Sequence, residues 1–246
     1  MSSDDPNAGL IGGVVTLSGQ LGSLARWRAG VARLRPTVQR AAFAALYGPG
    51  ARGYDRFTRW LILGEWERWQ DAAVPFLPPA GPILELGSGT GALAARSSSA
   101  GRPWCCVESS GAMVAVARRR VAVRRFSLVR GDARAVPFAG ETFAGAVATF
   151  PTSHLLTPAA REEMARVLAP DGVLVIVLSA RLLPTGPRRV LRCGLLRLFY
   201  GGGAYARVRP PTIPGFDGEA QEVATPHGRA LVWAGVKARP VASPCA

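Results

Sequence analysis

Short apolar runs alternate with amphipathic stretches from about residue 80 onward, and this alternation predicts strands separated by helices. The apolar runs are PILEL, WCCVE, RFSLVR, FAGAVATF and GVLVIVLSA. Strands that are separated by helical segments pair in parallel and carry helices on both faces of the sheet. GVLVIVLSA is apolar throughout, as expected of a central strand that is buried on both sides.

Two further strand candidates near the C-terminus break the alternation. EAQEVAT and RALVWAGVK are separated only by PHG, which is too short for a parallel crossover. The last strand is therefore expected to run antiparallel. Together the runs predict an α/β fold: a doubly wound, mostly parallel seven-stranded sheet with an antiparallel last strand and N-terminal helices.

The first third of the chain has a helical pattern instead. Apolar and arginine positions interleave at helical spacing from about Leu24 to Leu77. Aromatic residues within it recur at multiples of three positions and predict one helix face packed against a core: Phe57, Trp60, Trp66 and Trp69. The predicted domains are a tail over residues 1–23 whose order the sequence leaves open, a helical cap over 24–79, and a sheet domain over 80–240 with a helical insert at about 181–217.

Cysteine usage and hydropathy limit the ligands and compartments. The four cysteines include no CxxC pair and the chain has two histidines, so no metal site is expected. The uncharged stretch from Ala8 to Ala25 contains glycines and polar residues and follows two aspartates, which argues against a membrane span or a signal peptide. These features favour a cytoplasmic protein.

A glycine-rich stretch, ILELGSGTGAL over residues 83–93, lies where the first strand turns into the next helix. In an open parallel sheet this turn is the floor of the ligand site. Gly87, Gly89 and Gly91 have no side chains, so a bulky ligand can approach the main chain closely. Two ligand classes suit such a turn, a dinucleotide and a nucleoside.

The acidic residues around the turn help to separate these two classes. Gly87, Gly89 and Ala92, followed by Glu108, satisfy the dinucleotide pattern. However, Glu85 inside the first strand would repel a pyrophosphate, and Asp132 after the third strand adds a second acid beside the same cleft. Two acids without a lysine favour a neutral or positively charged nucleoside.

Four stretches together carry a family resemblance: ILELGSGTG, CVESSGAM, GDARAVPF and MARVLAPDGVLVIV. On these motifs the sequence resembles the class I S-adenosylmethionine-dependent methyltransferases, of the group that includes the ubiquinone and menaquinone biosynthesis methyltransferases. The resemblance runs from about Tyr54 to Lys237. It implies a Rossmann-like methyltransferase fold with S-adenosylmethionine as the cofactor.

The resemblance also implies which residues bind the cofactor. Glu108 would accept hydrogen bonds from both ribose hydroxyls, Met113 would pack near the adenine, and Asp132 with the Ala133 amide would read the adenine edge. Structural roles stay open for the acids, with Glu108 as a helix cap, Asp132 as the brace of its turn and Glu85 as a purely structural group. The predicted cofactor set is Glu85, Gly87, Ser88, Gly89, Gly91, Glu108, Ser109, Met113, Asp132, Ala133 and Thr149.

The acceptor is expected over the end of the fourth strand. His154 is the candidate general base there, because the pKa of imidazole suits proton transfer from an oxygen or carbon acid, although it could instead cap the following helix. Lids are expected from Tyr47–Trp69 and from Arg181–Phe216, of which the second could instead lie on an anionic membrane. The predicted substrate and lid residues are Tyr54, Phe150, Thr152 and Ser153.

The predicted function is S-adenosylmethionine-dependent methyl transfer to a small, apolar or lipid-like acceptor. The net charge of +14 suggests a nucleic-acid methyltransferase as the alternative, but the chain has no Asn/Asp-Pro-Pro-Tyr-like stretch and no lysine cluster. A non-catalytic binding protein is a second alternative, because Ala144 stands where many members carry aspartate. The sequence favours a small molecule over nucleic acid as partner, leaves open a peripheral contact with the inner face of a membrane, and does not indicate an oligomeric state.

Overall fold

A computed structural model of the chain describes residues 49–62, 64–123, 126–151, 157–183, 190, 193 and 212–238. All of them belong to one compact unit, Ala45–Ala246. The predicted tail over residues 1–23, the first half of the predicted cap and most of the predicted insert lie outside the described residues. The domain boundaries therefore stay predictions.

Seven strands form one mixed sheet in the order β3-β2-β1-β4-β5-β7-β6. Neighbouring strands from β3 to β5 pair in parallel, and β7 pairs antiparallel with both β5 and β6. The predicted doubly wound fold with its antiparallel last strand is confirmed. The strands are β1 (Ile83–Leu86), β2 (Trp104–Glu108), β3 (Phe126–Arg130), β4 (Phe143–Thr149), β5 (Leu168–Leu182), β6 (Phe216–Thr225) and β7 (Gly228–Lys237).

The strand order by itself indicates where a ligand would bind. β1 pairs in parallel with β2 on one side and with β4 on the other, so the order in which successive strands are added to the sheet reverses at β1. Ligands of open parallel sheets bind at this switch point, beyond the carboxyl ends of the strands. The ends of β1, β2 and β4 are therefore the place to look for function.

Five helices accompany the strands in the described part of the chain. Two of them begin with side-chain caps that satisfy free main-chain amides: Ser110 accepts from Met113 N at 3.3 Å, and Thr157 accepts from Ala160 N at 3.3 Å. The helices are α1 (Tyr54–Leu61), α2 (Glu65–Asp71), α3 (Ala92–Ser97), α4 (Gly111–Val121) and α5 (Pro158–Val167). No helix among the described residues is long and apolar enough to cross a membrane.

The aromatic face predicted for one N-terminal helix is wrong. Gly64 has φ = +76°, a left-handed conformation that ends the first helix and starts the second. Because of this break, the two segments present different faces: Trp69 on α2 is buried, whereas Trp60 on α1 is 60% exposed. Side chains at a regular spacing keep a fixed angular relation to one another only while the helix is continuous.

Two hydrophobic cores cover the two faces of the sheet. Alternate residues of β5 point to opposite faces, so Val175 and Val177 join one core and Leu174 and Ile176 the other. The first core packs β-strand side chains against α2 and α3 through residues such as Trp69, Leu93, Ala94 and Trp104. The second core packs against α5 through Ala160, Met164 and Val167. The sheet is thus fixed between helices, with its carboxyl edge free to bind a ligand.

Candidate functional site

A glycine loop joins β1 to α3 at the switch point of the sheet. Gly87, Gly89 and Gly91 all have positive φ, at 68°, 55° and 69°. Residues that carry a side chain rarely adopt this backbone conformation. A Cβ on Gly91 would also lie 2.9 Å from the Phe126 ring, whereas one on Gly89 would meet nothing within 4 Å. Gly91 is therefore needed for packing and Gly89 for the shape of the loop.

Glu108, the last residue of β2, holds this loop in place. Its carboxylate accepts one hydrogen bond from Gly89 N at 2.8 Å and one from Ser110 N at 2.8 Å. The residue is buried at the end of its strand. A carboxylate offers roughly four acceptor sites, so two of them are free for a ligand. Glu108 thus combines the structural role of a brace with capacity to accept further donors.

Glu85 lies behind the loop, inside the first core. Its carboxyl group accepts from Ala94 N at 3.2 Å and from Cys106 Sγ at 3.5 Å. Burial without a paired cation raises the pKa of Glu85 to about 8. The enclosed acid does not line the cavity above the loop, and it fixes the first turn of α3 through its bond to Ala94.

A cavity lies above the glycine loop, between the sheet and helices α1 and α2. Its volume is about 40 Å³, far below the roughly 300–1,000 Å³ of small-molecule sites. The cavity is lined by Tyr54, Asp55, Trp66, Gln70, Gly87, Ser88, Gly89, Thr90, Ala92, Met113, Thr149 and Phe150.

Asp55 fastens α1 to the far side of the cavity. Its carboxylate accepts from the Thr90 hydroxyl at 2.9 Å and forms an ion pair with Arg120 of α4. Arg120 also donates to the Thr90 carbonyl oxygen, at 2.5 Å. One acid therefore ties the N-terminal helix to both the glycine loop and α4.

A chain of polar side chains reaches the end of β4 from the surface. Arg96 donates to Asp71 at 2.8 Å and to the Gln70 side-chain oxygen at 3.2 Å. The amide nitrogen of Gln70 then donates to Thr149 Oγ1 at 3.4 Å. Because Arg96 occupies the oxygen of the amide, Gln70 presents its donor to the cavity. The hydroxyl proton of Thr149 is directed away from Gln70.

Aromatic side chains form the remaining wall. Phe150, directly after β4, has φ = +52°, which is uncommon for a bulky residue. Its ring stacks on Trp66 with centroids 4.5 Å apart, and Trp69 meets its edge at 6.4 Å. Tyr54 completes the wall against Trp66 and Met113. This wall is shaped for a flat or apolar group.

The structure brings together about half of the residues that the sequence predicted. Those that line the cavity are Gly87, Ser88, Gly89, Met113, Thr149, Tyr54 and Phe150. Glu85, Gly91 and Glu108 lie behind them as supports. Thr152, Ser153 and His154 lie outside the described residues, so their predicted roles stay predictions.

The remaining predicted residues do not line the cavity. Asp132 is exposed and accepts from Arg134 N at 2.9 Å and from Arg134 Nε at 3.0 Å, so its carboxylate braces its own turn. Ser109 is exposed, with its carbonyl oxygen accepting from Arg130 at 3.4 Å. Ala133 is partly buried against the second core.

Five lining residues were missed by the sequence reading. Thr90 and Ala92 belong to the glycine-rich stretch over residues 83–93, which the sequence marks as the floor of the ligand site. Asp55, Trp66 and Gln70 come from the N-terminal helices, where no local pattern separates cavity-facing positions from core positions. Their contacts cross long sequence distances, 79 residues in the case of Gln70 and Thr149.

Comparison with known proteins places this site in a family. Residues 83–172, which run from β1 into β5, match the methyltransferase domain family. The matched segment covers 90 of the 246 residues, so the likeness to a methyltransferase domain concerns the stretch from β1 into β5. The family resemblance stated from the motifs is thereby confirmed, and the cavity lies at the glycine loop of that domain.

Curated relatives of this methyltransferase domain have one description in common. The chain is 34% identical over 138 residues to a demethylmenaquinone methyltransferase of Mycolicibacterium paratuberculosis, a match that covers 54% of this chain and 57% of the relative. It is 31% identical over 137 residues to a demethylmenaquinone methyltransferase of Clavibacter sepedonicus, covering 54% and 56%. The chain thus spans a little over half the length of the relatives it matches.

Solved structures share the fold of the domain. A protein of Methanococcus maripaludis, assigned as an S-adenosyl-L-methionine-dependent methyltransferase, superposes with a TM-score of 0.56 at 17% identity over 79% of this chain and 96% of that one. A phosphoethanolamine N-methyltransferase of Haemonchus contortus superposes with a TM-score of 0.53 at 15% identity over 76% and 58%. At these identities the likeness concerns the fold.

The buried acid behind the loop predicts an unusual pH dependence of stability. Because the pKa of Glu85 is about 8 in the folded protein and 4.5 ordinarily, the unfolded chain ionises this group while the folded protein keeps it protonated. The free energy of unfolding should therefore fall as pH rises from about 5 to 8, by up to about 1.4 kcal/mol per pH unit from this group. The stability contributed by protonated Glu85 is fully present below pH 4.5, the ordinary pKa of the group. It is lost as the pH rises to about 8, the pKa in the folded protein.

Glu85→Gln should remove this dependence, because the amide cannot ionise in either state. Urea unfolding of wild type and variant at several pH values between about 5 and 8 measures the difference. Glu162→Gln, a change at an exposed position of α5, is the control and should keep the wild-type slope. Parallel slopes for wild type and Glu85→Gln would show that Glu85 is ionised in the folded protein.

Proposed function

We propose that this protein transfers a methyl group from S-adenosylmethionine to a lipid-like quinone acceptor. The observation that carries the proposal is the glycine loop braced by Glu108 at the switch point of a methyltransferase domain. The relatives described as demethylmenaquinone methyltransferases supply the acceptor class.

The residues around the cavity fit the cofactor. The three positive-φ glycines carry no side chains, so a ligand can approach the main chain of the loop closely, and Glu108 keeps acceptor capacity for ribose hydroxyls. Ser88 is buried in the cavity wall, where its hydroxyl would meet a polar ligand. When bound, S-adenosylmethionine supplies an electrophilic methyl group on a sulfonium.

The aromatic wall fits a quinone acceptor. Tyr54, Trp66 and Phe150 form a continuous aromatic surface next to Met113, and such surfaces stack well with flat rings. Thr149 presents its hydroxyl at the edge of this wall and would donate to an acceptor oxygen. These residues hold the acceptor above the glycine loop, so their contribution is orientation and exclusion of water.

Proton transfer is the step for which the described residues offer little. The one carboxylate among the described lining residues belongs to Asp55, which is occupied by Thr90 and Arg120. We therefore keep His154 as the proposed base and the predicted insert at 181–217 as the proposed lid or membrane contact. Both lie largely outside the described residues.

The substitution at Ala144 does not count against catalysis. Ala144 is the second residue of β4, whereas the cavity lies at Thr149, at the other end of the strand. Five residues of strand separate the two positions by about 17 Å. Its main-chain N–H donates to Pro82 O at 2.9 Å, so the strand is paired there without an aspartate. We therefore favour an enzyme over a non-catalytic binding protein.

Activity is tested with the protein, S-adenosylmethionine and a short-chain demethylmenaquinol. Formation of S-adenosylhomocysteine together with the methylated quinol is the expected outcome. Calorimetry with S-adenosylhomocysteine and with NAD is run in parallel, because a dinucleotide was the competing ligand class. Binding of NAD without binding of S-adenosylhomocysteine would contradict the proposal.

Glu108→Gln should weaken binding of S-adenosylhomocysteine by about tenfold or more. The change removes charge-assisted hydrogen bonds worth about 1.5–3 kcal/mol each. Asp132→Asn is the matched comparison and should have a smaller effect, because Asp132 is exposed and paired with Arg134. Calorimetry gives both affinities, and melting without ligand identifies any loss of folding. A larger effect of Asp132→Asn would reverse our assignment of the main acceptor.

Gln70→Ala should lower kcat/KM for the quinol by about tenfold while leaving S-adenosylhomocysteine affinity unchanged. The reason is that loss of the donor leaves Thr149 without its orienting partner, at a cost of about 1–1.5 kcal/mol. Gln221→Ala, at an exposed position of β6, is the control and should behave as wild type. Equal losses for binding and turnover would show that Gln70 serves the cofactor instead.

A further inference from the structure

An open groove with a volume of about 470 Å³ lies next to the candidate site, where α1 and α2 face α3 and the end of α4. Ala92, the first residue of α3, lines both the groove and the site cavity. The groove has four arginines and one carboxylate in its lining. The residues that matter here are Arg59, Arg96, Arg119, Arg120, Glu67 and Val123.

The arginines are held in place by their partners but keep N–H donors that these partners do not engage. Three of them form ion pairs: Arg59 with Glu67 at 2.6 Å, Arg96 with Asp71 at 2.8 Å, and Arg120 with Asp55. A guanidinium has five N–H donors, and a single carboxylate engages at most two of them in a bidentate pair. Arg119 has no ion-pair partner among the described residues. The groove therefore retains donors and excess positive charge.

Such an arrangement matches a phosphate group. Guanidinium forks match phosphate oxygens in geometry, and they are more weakly hydrated than ammonium groups. Carboxylates balance three of the four guanidinium charges, so the charge of Arg119 is left for an anion to neutralise. The carboxylates keep the guanidinium groups extended, so little side-chain freedom is lost when the anion binds.

Apolar exposure beside the arginines distinguishes a lipid headgroup from a soluble phosphate. Val123, just after α4, lines the groove and is 78% exposed. Trp60 follows Arg59 on α1 and is also largely exposed. Exposed apolar side chains next to arginines are typical of surfaces that lie on anionic membranes. A soluble phosphate would leave these side chains in water.

We propose that this groove binds the phosphate of an anionic phospholipid headgroup and so docks the protein on a membrane surface. The proposal rests on the proposed function for its purpose, because a lipid-soluble acceptor is reached at a membrane. Its position agrees, since Ala92 connects the groove with the site cavity. The surface is separate from the insert for which the sequence left a membrane contact open.

Vesicle sedimentation at about 0.15 M salt tests the groove. The wild-type protein should sediment with phosphatidylglycerol vesicles and not with phosphatidylcholine vesicles. Arg119→Glu should lower the affinity for the anionic vesicles by about tenfold. Val123→Asp, which leaves all four arginines in place, should weaken binding as well.

Arg161→Glu is the control for net charge. It makes the same charge change on α5, whose Ala160 and Met164 pack in the core on the opposite face of the sheet from α3. This variant should bind vesicles like the wild type. Equal losses for Arg119→Glu and Arg161→Glu, or no binding of the wild type to anionic vesicles, would overturn the proposal.

Two further measurements separate the possible sources of failure. Inorganic phosphate that raises the melting temperature of the wild type but not of Arg119→Glu, without vesicle binding, would replace the lipid by a soluble ligand and overturn the proposal. S-adenosylhomocysteine affinity should be the same in wild type and Arg119→Glu. If the wild-type protein did not bind S-adenosylhomocysteine, that result would contradict the proposed function and leave the groove proposal unaffected.

Discussion

The carboxylate of Glu108 joins three elements through two hydrogen bonds, since it lies at the end of β2 and accepts from the glycine loop and from the start of α4. Without it, two amides at the floor of the site would lose their partners, at about 1–3 kcal/mol for each buried donor. The same bonds set where Met113 enters the cavity, three residues after Ser110. Loop, cap and cavity wall thus depend on one side chain.

The two acids of the glycine region have divided roles because their surroundings differ. Glu85 is enclosed by the core, where desolvation raises its pKa to about 8, and its bonds to Ala94 and Cys106 hold α3 against β1. Glu108 lies at the open edge of the sheet, next to the loop that it braces. In the register of β1 and β2, Glu85 lies opposite Cys106, so Glu108 is two positions nearer the carboxyl edge of the sheet.

Four of the twelve residues that line the cavity lie outside the segment that matches the methyltransferase domain family. Asp55, Trp66 and Gln70 belong to α1 and α2, and each reaches a group on the sheet side: Thr90, Phe150 and Thr149. These contacts close the cavity to a small volume. The arginine groove is lined in part by Arg59 and Glu67 of the same two helices.

The amino-acid sequence by itself determined the fold class and the position of the site. Apolar runs of strand length separated by helical stretches require a parallel sheet, the short PHG turn requires an antiparallel last strand, and the glycine stretch marks the switch point. These are local signals, because periodicity and backbone freedom act over a few residues. Only the tertiary structure decided that Gly64 breaks the N-terminal helix, that Arg134 occupies Asp132, and that Gln70 reaches Thr149. Such contacts depend on how distant segments pack, and burial and charge pairing are settled only when the chain has folded.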